Sequence, residues 1–439
     1  PPAEAEPLAA GELERLFASL SGVRLIALAV SGGADSLALL DAVDRWRRQD
    51  GQRPEVLVLT VDHRLRKGSA ADARTVTAIA RARGLKVQTL LRTGPPPDSD
   101  VEAAARIARY RLLVTACRKV GASHLLVAHH EDDVAETFLM RLKRGSGVFG
   151  LAAMRPLLSA GDVAIVRPFL GISRDRLAAT ARVAGFTPAV DPMNADPRFE
   201  RVRVRWLMPL LAGEGIAASA LASAARRFAD FADAIERAAD VMLAEAVETD
   251  DQAIAWLDAS RLATSGDDVA VRAFVRILIA VGGGTYPPRF ERLTPLLGAV
   301  LAHREGRFKR TLAGCVVEWR DGRFAVYREF GREGVAPVPV RAGFAGVFDH
   351  RFVVSVGKGA PAGLTLAPLG EEGRRSVAEM PRGVPAGAVA TLPAFWWRGK
   401  LVAAPSLSGS NAPFPLAARS ILAERLRRAP LFPDLGDEA

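Results

Sequence analysis

Residues 24–46, RLIALAVSGGADSLALLDAVDRW, are typical of a strand, a tight turn and a helix in an α/β protein. The run RLIALAV at 24–30 is apolar throughout, as in a parallel strand that is buried on both faces. The small residues SGGADS at 31–36 follow, and DSLALLDAVDRW then has the spacing of an amphipathic helix. Similar strand patterns, each with a helix pattern after it, stand at 55–61, 86–92, 123–130 and 163–171. We therefore predict that residues 24–215 form a parallel-sheet domain.

The pattern changes after residue 215. Residues 216–334 are mostly helical in pattern and end in a hairpin at 308–329, turned at Asp321-Gly322. Residues 335–430 contain short strand patterns with many Gly and Pro turns, and residues 1–23 form an N-terminal extension. The sequence thus predicts an α/β domain, a mostly helical middle domain and a small β-rich C-terminal domain.

Composition limits the partners and the compartment. The 439 residues carry a formal net charge of +10, which favours a polyanionic partner such as RNA, although an Arg-rich composition alone can also be basic. Two lone cysteines, Cys117 and Cys315, provide no disulfide framework. No apolar run reaches the roughly 18 residues of a membrane span, and the first residues lack a secretory pattern. We expect a cytoplasmic protein with no membrane partner.

The strongest chemical signal is Ser31-Gly32-Gly33-Ala34-Asp35-Ser36, which lies between the strand and the helix. Backbone N–H groups at such a turn and the helix N-terminus together form an anion site. The glycines allow phosphate to approach the backbone, and Asp35 can hold a divalent cation on it. The Lys of the GxxxxGK[ST] loop is missing, so the pattern predicts a different phosphate site.

A second signal, AHHEDDVAET at 128–137, also begins where a strand ends. Asp133 and Glu136 are three positions apart, so both carboxylates can point into the same crevice and bind a cation, either magnesium or an amine. Acids that merely favour a helix N-terminus are the alternative for Asp133, but they leave His129 and His130 unexplained.

His63 lies in VDHRLRKGS, at the carboxyl end of the second strand, where open α/β sheets bind ligands. Arg64, Arg66 and Lys67 follow it and would line the same crevice. For His63 alone, a surface role explains the sequence equally well.

Several arginines allow two interpretations, one structural and one functional. Arg106 and Arg109 lie on the helix after residue 100, where ion pairs with acids such as Glu102 are the simpler explanation. Candidates for RNA contact are Arg144, in the RGSG segment, and Arg201, Arg203 and Arg205, whose alternate spacing puts them on one side if the segment is extended. A solvated face is the alternative for these last three.

Six motifs occur in the order found in tRNA(Ile)-lysidine synthetases, and the chain resembles that family over roughly residues 24–210. They are SGGADS, VDHRLR, EAAARIARYR, AHHEDDVAET, RGSG and DPMNADPRFERVRVR. SGGxDS alone marks the wider N-type ATP pyrophosphatase, or PP-loop, group, whereas AHHxDDxAET followed by RGSG is much more specific.

The resemblance implies a PP-loop domain of the adenine nucleotide alpha hydrolase-like fold, with tRNA bound by residues 216–334 and 335–430. It implies that ATP adenylates the wobble cytidine of a CAU anticodon and that L-lysine displaces AMP, so the expected partners are tRNA(Ile), lysine, ATP and Mg²⁺. A homodimer is left open.

The resemblance also implies roles for single residues. The pyrophosphate and magnesium site comprises Ser31, Gly32, Gly33, Asp35 and Ser36, with Ala34 in the same loop and His63 beside it. Arg109 serves adenylation, and Asp133 with Glu136 binds the lysine substrate.

Two positions depart from the family pattern. The family usually has D-x-S-N where this chain has Asp191-Pro192-Met193-Asn194, and R-N-x-I-R where Val202 replaces the Asn. Val202 lacks the side-chain amide of that Asn, so the hydrogen bond assigned to the amide does not carry over to this chain. The ATP loop is unaffected.

Three other functions are alternatives: a PP-loop tRNA thiolation enzyme, a small-molecule ATP-pyrophosphatase synthetase and a non-catalytic RNA-binding module. Thiolation would require a sulfur-carrying or cluster-binding Cys near the crevice, and neither Cys117 nor Cys315 is placed for it. A binding module would not need Asp35, Asp133 and Glu136 around a phosphate loop.

Overall fold

The computed structural model describes residues 5–64, 68–92, 101–189, 195–284, 287–331, 334–377, 380–407 and 412–427, with only the backbone described at 101–105. Contacts between Cα atoms divide the chain into two compact units, which meet in sequence between Ala232 and Asp233. The boundaries predicted at residues 215 and 334 stay predictions.

The first unit is built on a six-stranded sheet in the order β3-β2-β1-β4-β6-β5. Its strands are β1 (Leu25–Ala29), β2 (Glu55–Asp62), β3 (Lys86–Leu91), β4 (His124–Leu126), β5 (Leu157–Ala160) and β6 (Val163–Val166). The five strands other than β5 are parallel, which confirms the predicted α/β class. The edge strand β5 pairs antiparallel with β6 and was not predicted.

Helices connect these strands and cover the sheet. They are α1 (Ala10–Phe17), α2 (Ala34–Arg47), α3 (Ser69–Ala82), α4 (Val101–Val120), α5 (Glu131–Lys143), α6 (Val148–Leu151), α7 (Arg174–Val183) and α8 (Glu200–Gly213), and α9 (Ala218–Ala246) continues into the second unit. Both β1 and α2 are deeply buried, as the apolar run before residue 31 predicts. The segment before residue 24 belongs to this core, because Phe17 packs on Trp46 with ring centroids 5.3 Å apart.

Among its described residues, the second unit contains three antiparallel sheets, ordered β7-β8-β11-β10-β9, β12-β15-β16-β17 and β13-β14-β18. Their strands are β7 (Val247–Thr249), β8 (Ala255–Leu257), β9 (Lys309–Leu312), β10 (Cys315–Arg320), β11 (Arg323–Arg328), β12 (Val338–Val340), β13 (Ala345–Phe348), β14 (Phe352–Val356), β15 (Leu364–Pro368), β16 (Pro393–Trp397), β17 (Lys400–Ala403) and β18 (Leu416–Ser420). The helices are α10 (Ala259–Leu262), α11 (Asp267–Gly282), α12 (Phe290–Ala302), α13 (Gly370–Ser376), α14 (Ala386–Val389) and α15 (Leu422–Arg427).

The hairpin of β10 and β11 turns at the predicted residues. Arg320 pairs with Arg323, and the two residues between them, Asp321 and Gly322, both have positive φ, 49° and 84°. Positive φ at both central positions is the geometry of a type I′ turn, which matches the twist of the two strands. The predicted hairpin and the β-rich character of the C-terminal region are therefore confirmed.

Within the described ranges, no single helix is long and apolar enough to cross a membrane. One pair, α8 with α9, meets the length and composition criteria together, but its two helices are bent by 108° at the break between them.

Candidate active site

The turn from β1 to α2, residues 31–36, is called the glycine loop below. Gly32 has a φ of +91°, which side-chain-bearing residues rarely adopt, and a Cβ there would lie 3.4 Å from Val76 Cγ2. The carbonyl of Gly32 accepts a hydrogen bond from the Ala189 N–H at 2.9 Å, so a second segment fixes the turn. The loop therefore requires glycine at position 32.

Gly32→Ala should destabilise the first unit by about 1–3 kcal/mol, because the left-handed backbone is strained for a residue with a Cβ. The measurement is chemical denaturation of the full chain. Gly22→Ala is the matched control, since a Cβ at Gly22 meets nothing within 4 Å and no positive φ is involved. Equal midpoints for both variants would contradict the assigned strain.

The N–H groups of the glycine loop divide into two sets. The Ser36 hydroxyl accepts hydrogen bonds from the N–H groups of Ser31 at 3.1 Å and Gly32 at 3.2 Å, and it donates to the Gly33 carbonyl at 3.0 Å. The first intrahelical bond of α2 runs from the Leu37 N–H to the Gly33 carbonyl. The N–H groups at positions 34–36 consequently have no intrahelical acceptor and can bind an anion. Ser36 is used to hold the turn.

Asp35, in the first turn of α2, has a carboxylate with one unsatisfied oxygen. Its Oδ1 is buried and has no hydrogen-bond partner among the described residues, although 36% of the side-chain surface is exposed. Burial raises the pKa of this carboxyl, so leaving it ionised without a cation is costly. A divalent cation fits this oxygen and would relieve that cost.

No three His, Cys, Asp or Glu side chains within the described part of the chain are grouped to hold a metal ion by themselves. A divalent cation at Asp35 would therefore take further oxygens from phosphate groups and water, which is common for Mg²⁺ in nucleotide sites.

His130 lies beside Asp35 and is buried. Its Nε2 is 3.7 Å from the Asp35 carboxylate and 3.5 Å from that of Asp133, and its Nδ1 is 3.5 Å from Asp132. Burial by itself would lower the pKa of His130, but the neighbouring carboxylates of Asp132, Asp133 and Asp35 raise it. The paired histidines were noted in the sequence, but the acids around His130 were not predicted.

His129 points to a different environment, made of arginines. Burial and the neighbouring cations Arg106, Arg167, Arg109 and Arg201 hold the pKa of His129 well below its usual value, so the ring is neutral. Its Nδ1 accepts a hydrogen bond from the Arg167 Nε at 3.3 Å. These four arginines are called the arginine cluster.

The arginine cluster includes two predicted site residues, Arg109 of α4 for adenylation and Arg201 of α8 for RNA contact. Burial lowers the pKa of Arg109, and the charges of Arg106 and Arg201 lower it further. A group of like charges in a partly buried position is stabilised by an anion, so this cluster is suited to phosphate. Sequence reasoning missed Arg167, because a single Arg after a strand carries no local signal. The Glu102 side chain lies outside the described residues.

Asp133 and Glu136 do lie on the same side of α5, as their spacing predicts. Asp133 accepts a hydrogen bond from the His130 N–H at 3.0 Å, which is a helix cap, and another from Arg201 Nη2 at 2.7 Å. Glu136 is 2% exposed and accepts hydrogen bonds from Arg201 Nε and Arg205 Nε, each at 2.7 Å. Both carboxylates thus bind cations, and in this structure the cations are guanidinium groups of α8.

The geometry considered for the Arg-rich run was wrong. Residues 201–205 belong to helix α8 and are not extended, so alternate residues do not share a face. Arg201 and Arg205, four positions apart, face α5, whereas Arg203 donates to the carbonyls of Pro197 and Arg198 at 2.7 and 2.9 Å. The ion pairs with α5 favour a helix here, because two arginines four positions apart lie on the same face of a helix.

Other predicted residues lie further along the same unit. Arg144, at the end of α5, pairs with Glu200 at the start of α8. His63 follows β2 and is half-buried, next to Asp62, whose carboxylate accepts a 2.5 Å hydrogen bond from Ser69. Arg66, Lys67 and the segment Asp191–Asn194 lie outside the described residues. At the other departure from the family pattern, Val202 is buried at 5% exposure and so serves packing.

Comparison with known proteins identifies the family. A model described as PP-loop domain matches residues 6–211. The tRNA(Ile)-lysidine synthase of Rhodopseudomonas palustris is 40% identical over 357 residues, which cover 77% of this chain and 97% of that protein. The enzyme of the same name from Ruegeria pomeroyi is 34% identical and covers 88% of this chain and 90% of that protein. The chain therefore belongs to the tRNA(Ile)-lysidine synthase family of PP-loop proteins.

Proposed function

We propose that this protein is an AMP-forming ligase that uses ATP to join L-lysine to carbon 2 of the wobble cytidine of a CAU-anticodon tRNA(Ile). In the first step, the cytidine O2 attacks the α-phosphorus of ATP and pyrophosphate leaves. In the second step, a lysine amine attacks carbon 2, AMP departs with the former O2, and the amine loses a proton. The observation that carries this proposal is the unsatisfied Asp35 Oδ1 in the first turn of α2, where the N–H groups of residues 34–36 have no intrahelical acceptor.

The glycine loop is suited to pyrophosphate. The N–H groups of residues 34–36 would bind its oxygens, and they require no rearrangement because Ser36 already holds the turn. Asp35 would hold a Mg²⁺ ion, which when bound neutralises charge on the departing pyrophosphate. His63, after β2, is proposed to line the nucleotide crevice, as ligands in such sheets bind at the carboxyl ends of strands.

The arginine cluster is suited to the α-phosphate region. Charge builds on the phosphorus oxygens during attack by the cytidine, and a preorganised guanidinium stabilises it in that state. Arg109 is the member that the family resemblance assigns to adenylation, and burial together with the charges of Arg106 and Arg201 lowers its pKa. We therefore assign Arg109 to the first step.

Asp133 and Glu136 are proposed to bind lysine. Their carboxylates already accept hydrogen bonds from two cationic groups at 2.7 Å, which is the chemistry that recognises ammonium groups. Both acids lie on α5, whose N-cap residue His130 is 3.7 Å from the Asp35 carboxylate, so an amine held there would lie near the nucleotide site.

Arg109→Ala should slow formation of the adenylated tRNA by about 100-fold, because one preorganised cation is lost from the transition state. The measurement is accumulation of AMP-linked tRNA without lysine, with radiolabelled ATP. Arg111→Ala, an exposed arginine on the same helix, is the control and should be normal. A normal rate for Arg109→Ala would remove Arg109 from the adenylation step.

The affinity for tRNA should fall steeply as salt is raised, in line with the net charge of +10. Each phosphate contact contributes about 0.7–0.9 to the negative slope of log affinity against log salt concentration. Filter binding between low and physiological salt measures this slope. An affinity independent of salt would mean that the basic excess has no part in RNA binding.

Sulfur transfer fits the cysteines poorly. Cys117 and Cys315 are both buried, and burial raises the pKa of each thiol to about 12, so neither is a thiolate at neutral pH. Thiolation therefore has no support from a reactive cysteine in this chain.

The proposed function is tested by incubating the protein with ATP, radiolabelled lysine and a tRNA(Ile) transcript with a CAU anticodon. Label is expected to enter the RNA only with ATP present. A transcript with uridine at the wobble position is the control and should stay unlabelled. Absence of label in the CAU transcript, with the protein folded and binding RNA, would overturn the proposal.

A further inference from the structure

Two arginines of α8 occupy the carboxylates that the proposed function assigns to lysine. Arg201 contacts Asp133 through Nη2 and Glu136 through Nε, and Arg205 contacts Glu136 through Nε and Nη2, at distances from 2.7 to 3.2 Å. Glu136 is 2% exposed, so its carboxylate is deeply buried. In this arrangement, the groups that would bind an ammonium already have cationic partners.

The charges of these four side chains sum to zero. The two carboxylates carry two negative charges, and the two guanidinium groups carry two positive charges, which is also the number of ammonium groups on free lysine. Lysine cannot bind these already paired carboxylates without cost, because a buried ammonium needs an uncompensated carboxylate. It must therefore compete with Arg201 and Arg205.

Arg201 and Arg205 are placed so that their side chains can move away from the acids. Their side chains are 24% and 28% exposed, whereas that of Glu136 is 2% exposed, so the cations reach solvent and the acid does not. Arg201 also lies close enough to His129 and Arg109 for its charge to affect both. Repulsion from the other members of the arginine cluster weakens the ion pairs of Arg201 with Asp133 and Glu136. A phosphate group offers an arginine bidentate hydrogen bonds in place of those carboxylates.

We propose that Arg201 and Arg205 close the amine site in the free protein and that RNA phosphates open it by drawing these arginines away. This inference rests on the proposed function, in which Asp133 and Glu136 bind lysine. RNA then binds before lysine, and Arg201 and Arg205 are positioning residues that make amine binding depend on the RNA to be modified. By linkage, lysine must strengthen RNA binding by the same factor.

The test is calorimetric titration of L-lysine into the protein without ATP, with and without bound tRNA(Ile) transcript. In the wild-type protein, RNA should raise lysine affinity by about tenfold or more, within the usual range of coupling between sites. Arg205→Gln should bind lysine more tightly than wild type in the absence of RNA, and RNA should then add little. Arg203→Gln, on the same helix but bonded to main-chain carbonyls, should keep the full RNA effect.

Arg205→Lys keeps a cation beside Glu136 and serves as the test if the Gln variant does not fold. It loses the two-point contact, so it should bind lysine without RNA more tightly than wild type does. Equal wild-type affinity with and without RNA, or an RNA effect that persists in these variants, would overturn the closure.

Glu136→Gln separates this inference from the proposed function. If Glu136→Gln weakens lysine binding in the RNA complex but Arg205 variants behave as wild type, the closure alone is wrong. If Glu136→Gln leaves lysine binding unchanged, Asp133 and Glu136 are not the amine site, and both their assignment to lysine and the closure are wrong.

Discussion

Asp35→Asn is expected to reduce AMP formation by about 100- to 1,000-fold, the usual cost of removing one group that stabilises transition-state charge. The amide keeps the shape of the side chain but lacks the charge that would hold Mg²⁺ on the pyrophosphate. Because Asp35 Oδ1 makes no hydrogen bond within the described residues, the fold should lose little stability. The measurements are AMP release with ATP, Mg²⁺, lysine and tRNA(Ile), and thermal unfolding of the same protein.

Asp268→Asn is the matched control. Asp268 is likewise an acid in the first turn of a helix, α11 of the second unit, and is exposed. Its variant should turn over normally, which separates the site effect from a general effect of removing a helix-terminal charge. Normal AMP formation by Asp35→Asn would remove this residue from the mechanism.

Glu136→Gln is expected to raise the lysine concentration needed for half-maximal transfer by tens-fold or more. Losing a charged hydrogen-bond partner in a buried site costs about 2–5 kcal/mol, and about 1.4 kcal/mol corresponds to tenfold in affinity. Adenylation of tRNA without lysine should persist, because the acid acts in the second step. Lysine saturation and adenylation are therefore measured separately on this one variant.

Glu131→Gln, on the same helix, is the control for this change and should leave lysine saturation near wild type. The opposite result for Glu136→Gln, a loss of stability with unchanged lysine saturation, would mean that Glu136 serves only to anchor α8 through Arg201 and Arg205.

The sequence predicted those parts of the fold that depend on local pattern. The strand, turn and helix of residues 24–46 were predictable because β1 is buried on both faces and glycine is required at a positive φ. The edge strand β5 was missed, because its four residues, LLSA, have no distinctive periodicity and its pairing is decided by the neighbouring β6.

The site was predictable only where the signal is local. The spacing of Asp133 and Glu136 predicted a shared helix face, and that is what α5 shows. The partners of these acids were not predictable, since Arg201 and Arg205 are separated from Glu136 by 65 and 69 residues. Alternation of Arg and Val suits a strand, and contacts between α8 and α5 favour the helix instead. Arg167 and the surroundings of His130 are likewise products of the tertiary fold.

The central claim is that ATP activates the cytidine through its O2 atom. The most direct measurement uses a tRNA(Ile) transcript whose wobble cytidine carries ¹⁸O at O2, incubated with the protein, ATP, Mg²⁺ and lysine, followed by mass spectrometry of the AMP released. If O2 attacks the α-phosphorus and later leaves with it, the heavy oxygen is found in AMP in an amount equal to the lysine incorporated. AMP without ¹⁸O, alongside lysine incorporation into the RNA, would contradict the account.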